Sequence, residues 1–388
     1  MRFVLPAALL VVVPALAACT QNATTSNHDA AGGGGPISVT STDSSCTVSS
    51  DEAPAGPVSF TVENGGSKVT EFYLYSADGK RIVGEVENIG PGLQGRLTVT
   101  AEEGDYLAAC KPGMAGAGIR SAFTVTAPAK GAAAPSGDQV LISRAQNRYR
   151  TWVQRQSEAL VVATRQFLAA YTAGRDDRAR ALYPTARSHY EAIEPVAESF
   201  GDLDQKMDVR EPDVEPGTRW TGWHRIEKDL WPARDQRYHT LRPAARAAMA
   251  ANLMKNTQVL SQQIGTLTFT TDQIANGSSG LMEEVATSKV TGEEEYWSHT
   301  DLWDFAANVK GARAAFEDVR PILAKRDPAL ERTLTARFAA IDALLDRHRA
   351  GDGYVLYTEL GRAEVKRLAD AVNAVSEPLS HLTAAVLP

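Results

Sequence analysis

The chain is 388 residues long, 43% hydrophobic and 22% charged, with a formal net charge of −7. That length leaves room for two domains, and the composition is that of ordinary globular protein. The acidic balance argues against a nucleic-acid partner and against a polybasic grip on anionic lipid.

Arg2 forms a minimal positive n-region, and Phe3 to Leu16 is an almost uninterrupted apolar run. The run falls short of the roughly 20 apolar residues that span a bilayer, but it suits a signal-peptide core. It ends in Leu16-Ala17-Ala18-Cys19, which resembles the bacterial lipobox, whose Cys is acylated and becomes the mature N-terminus. Residues 1–18 are therefore expected to be a lipoprotein signal peptide and Cys19 the lipid attachment point. The other reading is a plain signal peptide cut at Ala-x-Ala, with Cys19 incidental. Residues 19–36 are polar and then Gly-rich from Gly32 to Gly35, the composition of a flexible tether.

Residues 37–127 read as β-structure. Alternating runs such as Val58–Val62 and Arg96–Thr100 are separated by turn signals at Glu63-Asn64-Gly65-Gly66, Ala77-Asp78-Gly79-Lys80 and Gly90-Pro91-Gly92. Period-two alternation at this spacing implies a small sandwich. Residues 128–140 are a linker by composition. From residue 141 to 388 the periodicity is helical: Tyr149–Tyr171, Asp177–Phe200, Leu241–Leu267, Asp301–Leu323 and Pro328–His348 carry apolar positions at three and four. Gly174, Gly201, Gly217, Gly277 and Gly351 punctuate them, so this part reads as a helical bundle.

Three segments of the bundle carry metal chemistry. In Trp220 to Trp231, His224 and Glu227 stand three apart and leave one face of a helix, as helical bundles arrange Glu and His around iron or manganese. The flanking aromatic residues put this pair on a buried helix. A zincin would need Glu beside the first His; Arg225 stands there, and Lys228 replaces the second His of the inverted motif. Hydrolysis is therefore not expected. Upstream, Glu191, Glu194 and Glu198 fall on one helical stripe, where like charges repel unless water or a cation compensates. Carboxylates with one imidazole suit Fe(III), Fe(II) or Mn(II). The third segment, Gly292 to Phe305, holds Glu293-Glu294-Glu295, His299 and Asp301, which with Thr300 is also a plain cap for the following helix.

Together these segments resemble the EfeO family, extracytoplasmic components of bacterial iron uptake with an imelysin-like helical domain. The resemblance runs through Leu182–Arg187, Tyr190–Pro195, Phe200–Asp204, Gly222–Trp231, Thr291–Glu295 and Ser298–Phe305. It continues through Asp327–Leu330, Ala371–Ala374 and Glu377–Leu379, covering most of residues 140–388. The resemblance implies that iron, as Fe(III) or Fe(II), is bound at His224 and Glu227 with Glu191, Glu194, Glu198, Asp202 and Asp301. It also implies delivery to an iron permease in an EfeUOB-type system that includes a haem peroxidase. Longer members carry an N-terminal cupredoxin-like domain, and residues 37–127 look like one. The expected fold is thus an all-β cupredoxin-like sandwich followed by an all-α imelysin-like bundle.

The β-domain contains no histidine, which excludes the two-His, one-Cys blue-copper set. Cys110 and Met114 stand where a Cys-to-Met ligand loop would be. By resemblance, candidate ligands for copper or iron are Cys46, Cys110, Glu71 and one of Glu85 or Glu87. An oxidising compartment equally favours a Cys46–Cys110 disulfide. Two other functional classes fit the sequence. One is a metal-bridged polysaccharide receptor using Trp220, Trp223, Trp231, Trp297 and Trp303; the other is a metal oxidase using the β-domain.

Overall fold

The computed structural model describes residues 36–127, 138–215, 217–232, 238–287 and 289–387. Cys19 and the signal-peptide, tether and linker assignments fall outside these, apart from residue 36 and residues 138–140 of the linker. The side chains of Glu198 and Asp202 also lie outside what is described.

The first domain is a two-sheet sandwich. Strands β1 (Ile37–Ser41), β2 (Cys46–Val48), β4 (Gly56–Asn64) and β7 (Gln94–Ala101) form one sheet in the order β2-β1-β4-β7. Strands β3 (Glu52–Pro54), β5 (Thr70–Ser76), β6 (Ile82–Ile89), β8 (Gly104–Cys110) and β9 (Ile119–Thr126) form the other, in the order β3-β9-β8-β5-β6. Pairing is parallel between β1 and β4 and between β3 and β9, and antiparallel elsewhere. The inward residues of the alternating runs meet between the sheets, with the Phe60 ring 5.1 Å from Phe72 and 5.4 Å from Phe123. A Cys46–Cys110 disulfide joins β2 of one sheet to the end of β8 in the other. Strand β5 is buried on both faces: Phe72 and Leu74 enter the sandwich core, while Glu71, Tyr73 and Tyr75 are buried on the outer side.

The second domain is helical. Its elements are α1 (Gln139–Thr172), α2 (Asp176–Glu191), α3 (Glu194–Glu198), α4 (Gly201–Met207), α5 (Trp223–Leu230), α6 (Pro243–Thr266), α7 (Thr271–Thr287), α8 (Asp301–Arg326), α9 (Pro328–Leu345), α10 (Arg362–Leu379) and α11 (Leu382–Val386). Helix α1 buries Tyr149, Val153, Leu160, Phe167 and Tyr171 along one stripe, the face expected from apolar positions at three and four. Asp327 caps α9 by accepting from the backbone N–H of Ala329 and Leu330, with Pro328 in the first turn where its missing N–H costs nothing. Among the described residues no helix is long and apolar enough to cross a membrane.

Two expectations change. Asp177–Phe200 is not one helix: α2 stops at Glu191 and α3 begins at Glu194. Pro195 has no N–H to give the Glu191 carbonyl, which instead accepts from Asn308 Nδ2 at 3.0 Å. Helix α8 can approach that break because it presents Gly311, where a Cβ would stand 2.3 Å from the Ala192 carbonyl oxygen. Gly277, expected as a breaker, lies inside α7. The domains meet along β7 and α7, where Asp272 Oδ2 accepts from Thr100 N at 2.6 Å and Asn276 Nδ2 donates to Thr98 O at 2.9 Å. A third contact runs from Ile82 N, at the start of β6, to Ser199 O at 3.3 Å.

Candidate metal centre

The site begins with how α5 is seated. Gly222, just before it, has φ of 96°, and a Cβ there would lie 2.2 Å from the Met207 carbonyl oxygen. Only glycine lets the start of α5 press on the end of α4, and this contact brings His224 beside Asp208. Trp223 anchors the same turn in the core, its ring 5.6 Å from Phe167 and 5.9 Å from Tyr183.

His224 is fully buried. Its Nδ1 is 3.2 Å from Glu227 Oε2, while Glu227 Oε1 accepts from the backbone N–H of Trp297 and Ser298 at 2.9 and 2.7 Å. Both oxygens of Glu227 are thus engaged, and its carboxylate fixes the orientation of the ring, as second carboxylates do for metal-binding histidines. The other nitrogen, Nε2, is buried without an aligned hydrogen bond, 3.4 Å from Glu294 Oε1 and 3.5 Å from Asp208 Oδ1. Burial and Arg187 oppose protonation of the ring. The hydrogen bond to Glu227, the Glu294 carboxylate close to Nε2 and the Asp208 charge overcome them and raise its pKa to about 9.

Two buried cations hold the carboxylates. Arg187, on α2, is bonded to Asp208, to Glu191 and Glu294 at 2.7 Å each, to Glu295 at 2.6 Å and to Asp304 at 3.3 Å. Lys289 Nζ is 2.7 Å from Glu191 Oε2, 2.8 and 2.7 Å from the two oxygens of Glu194, and 3.2 Å from Glu284. Burial works against ionisation of Glu294, yet Lys289, His224 and Arg187 hold it well below the usual carboxylate range. Burial pushes Glu295 and Asp304 well above that range, and burial with the Asp208 charge takes Asp204 to about 7. A cavity of about 170 Å³ opens beside these groups, lined by Glu194, Asp204, Asp208, Arg210, Glu284 and Glu294 among others. Donor atoms of Asp208, His224 and Glu294 lie within 4.8 Å of one another, as do those of Glu191, Glu194 and Asp208 and those of His224, Glu227 and Glu295. Carboxylate oxygens with one imidazole nitrogen suit first-row ions such as iron and manganese.

Of the residues expected from sequence, His224, Glu227, Glu191 and Glu194 converge here. Asp301 stands one step out: its Oδ1 accepts from Glu295 N at 3.0 Å, and burial raises its pKa to about 6. It steadies the loop that carries Glu294 and Glu295. His299 takes part through its backbone, with φ of 58° and its carbonyl accepting from Tyr357 N. Sequence reading missed Asp208, Arg187 and Lys289, and it noted Glu294 and Glu295 without giving them a role. The proposed five-tryptophan groove does not form. Trp223 is core, Trp231 packs on Tyr183 and Trp303 on Tyr354; only Trp220 and Trp297 face each other, at 5.7 Å.

In the β-domain the thiolate pair is replaced by the disulfide, so Cys46 and Cys110 offer no thiolate to a metal in this form. Met114 is exposed on the turn that follows Cys110. Glu71 and Glu87 do converge, both accepting from the Tyr73 hydroxyl, at 2.7 and 3.1 Å. Glu85 pairs with Tyr73 across β5 and β6. Burial raises the pKa of Glu71 and Glu85 and takes Glu87 to about 7. Across the domain boundary Glu85 feels the charge of Asp204, and Glu87 that of Glu284.

Fold and site together define a two-domain protein, a cupredoxin-like sandwich joined to an imelysin-like bundle. Residues 145–382 match the Imelysin family and residues 7–125 the Cupredoxin-like domain family. The chain is 34% identical over 349 residues to the iron uptake system component EfeO of Escherichia coli (strain K12), covering 89% of this chain and 90% of that one. The EfeO components of Shigella flexneri and Shigella sonnei (strain Ss046) match to the same extent. The chain belongs to the EfeO family.

Proposed function

We propose that this protein is the extracytoplasmic, membrane-tethered iron-binding component of an EfeUOB-type uptake system. In this reading Cys19 carries the lipid, and residues 19–36 keep the binding domain near a membrane permease at high effective concentration. A haem peroxidase of the same system is the further partner. Its relatives' description as iron uptake system components supports the cargo. The observation that carries the reading is the buried Nε2 of His224, which stands 3.4 Å from Glu294 and 3.5 Å from Asp208 beside a carboxylate-lined cavity. Iron, as Fe(III) or Fe(II), is captured there by His224 Nε2, Asp208 and Glu294, with Glu191 and Glu194 within reach, while Glu227 orients the imidazole. The arriving ion displaces the Nε2 proton, since a ligating imidazole must be neutral, and the ring takes a proton back as the ion leaves for the permease.

The test is the double variant His224→Ala with Glu227→Ala. Stoichiometric iron binding by calorimetry should be lost while the helical circular dichroism is retained; unchanged iron affinity would contradict the reading.

A further inference from the structure

Lys289 is fully buried, and its ammonium is ringed by oxygens of Glu191, Glu194 and Glu284 at 2.7 to 3.2 Å. That is how a protein holds a cation. Two of the same carboxylates, with Asp208, bring oxygens within 4.8 Å of one another as potential metal donors. A metal ion drawing on Glu191 and Glu194 would lie against a positive charge already there, and at such short range in a buried site the two repel strongly.

Arg187 and Lys289 are not equivalent in this respect. Arg187 projects from the 16-residue helix α2, and its rigid planar fork is shared among five carboxylates. It belongs to the frame. Lys289 is a point charge on a flexible stem, and it sits on a single 3-10 turn, Lys289–Thr291, after α7. The chain from that turn to α8 carries Glu294, Glu295 and the two amides that hold Glu227.

We propose that Lys289 is a resident counter-ion that gates the metal site, holding Glu191 and Glu194 in the metal-free protein and being displaced from them by the arriving ion. The proposal rests on the reading of this cluster as an iron site. Exchange of this kind selects by charge. A monovalent ion brings no more charge than the ammonium it must displace, whereas a divalent or trivalent ion does. The exchange also runs backward: the ammonium returns to the same carboxylates as the ion leaves, which suits a carrier that must let go. Because Lys289 and Glu294 share one short segment, loading shifts that segment, including Tyr296 at the surface (54% exposed).

The test is amine acetylation of the full-length protein, read lysine by lysine by mass spectrometry, with and without Fe(III) supplied as its citrate complex. Lys289 should be protected in the metal-free protein and react on the order of tenfold faster once iron is bound, as a buried group does when its segment opens. Iron bound one-to-one with Lys289 still protected overturns the gate and leaves the iron site standing. Wild-type protein that takes up no iron overturns both. In Lys289→Met, folded as judged by circular dichroism, iron affinity should rise about tenfold because the competitor is gone; weaker binding would place Lys289 in the frame and overturn the gate. If that variant does not fold, the labelling of the wild-type protein still decides.

Discussion

In the helical domain, buried carboxylates stand beside cations that the fold supplies. Arg187 and Lys289 reach Glu191, Glu194, Asp208, Glu294 and Glu295, and Glu294 stays ionised although it is buried. In the β-domain, Glu71 and Glu87 accept from the Tyr73 hydroxyl, and Lys111, whose ammonium lies 4.3 Å over the Tyr73 ring, favours ionisation of Glu71 and Glu85. Burial raises the pKa of all three. The helical cluster therefore keeps Glu294 charged although Asp204, Glu295 and Asp304 beside it favour retained protons, while in the β-domain all three carboxylates do. A count of acidic residues does not tell these apart; the counter-ions do.

The largest effect should come from removing the cation that makes the difference. Arg187→Ala leaves its carboxylate partners uncompensated in the core and should cost about 3–5 kcal/mol of stability, measured by chemical denaturation. If the loss is slight, the helical cluster does not depend on built-in charge and the contrast between the domains fails. Replacing Cys46 and Cys110 by Ser should cost about 2–5 kcal/mol, confined to the sandwich. Its unfolding should separate from that of the bundle, and iron binding should survive, since no thiolate serves it.

The smallest effect is a slope. Glu87 and Asp204 each titrate near 7 when folded, against ordinary values of 4.5 and 3.8. The folded state thus holds protons that the unfolded chain has released. Stability from these groups is full below the ordinary values and is lost as pH rises toward 7. In Asp204→Asn or Glu87→Gln, the fall in metal-free stability per pH unit should be shallower by up to about 1.4 kcal/mol. Slopes identical to wild type would show that these carboxylates are already paired.

Much of the fold was legible because it is local. Alternation marked β4 and β7, three-four spacing marked α1, α6, α8 and α9, and His224 with Glu227 lay within one turn. The break after Glu191 was harder to read, since Pro195 is tolerated in a first turn and looks harmless until the Glu191 carbonyl is asked for its donor. The counter-ions were illegible for a different reason. Lys289 lies 98 residues from Glu191, and Arg187 lies 107 from Glu294. No spacing rule links such pairs, and a lone Lys after a helix reads as surface. Asp208 reaches His224 only because Gly222 permits a close approach of two helix ends, which is visible as contact and not as pattern.

The central claim is that the metal belongs to the cluster with built-in counter-ions. Crystals of the full chain soaked with iron and measured across the iron absorption edge test this most directly. The account predicts an anomalous peak within bonding distance of His224 Nε2, Asp208 and Glu294. A peak only among Glu71, Glu85 and Glu87, or none at either cluster, would contradict it.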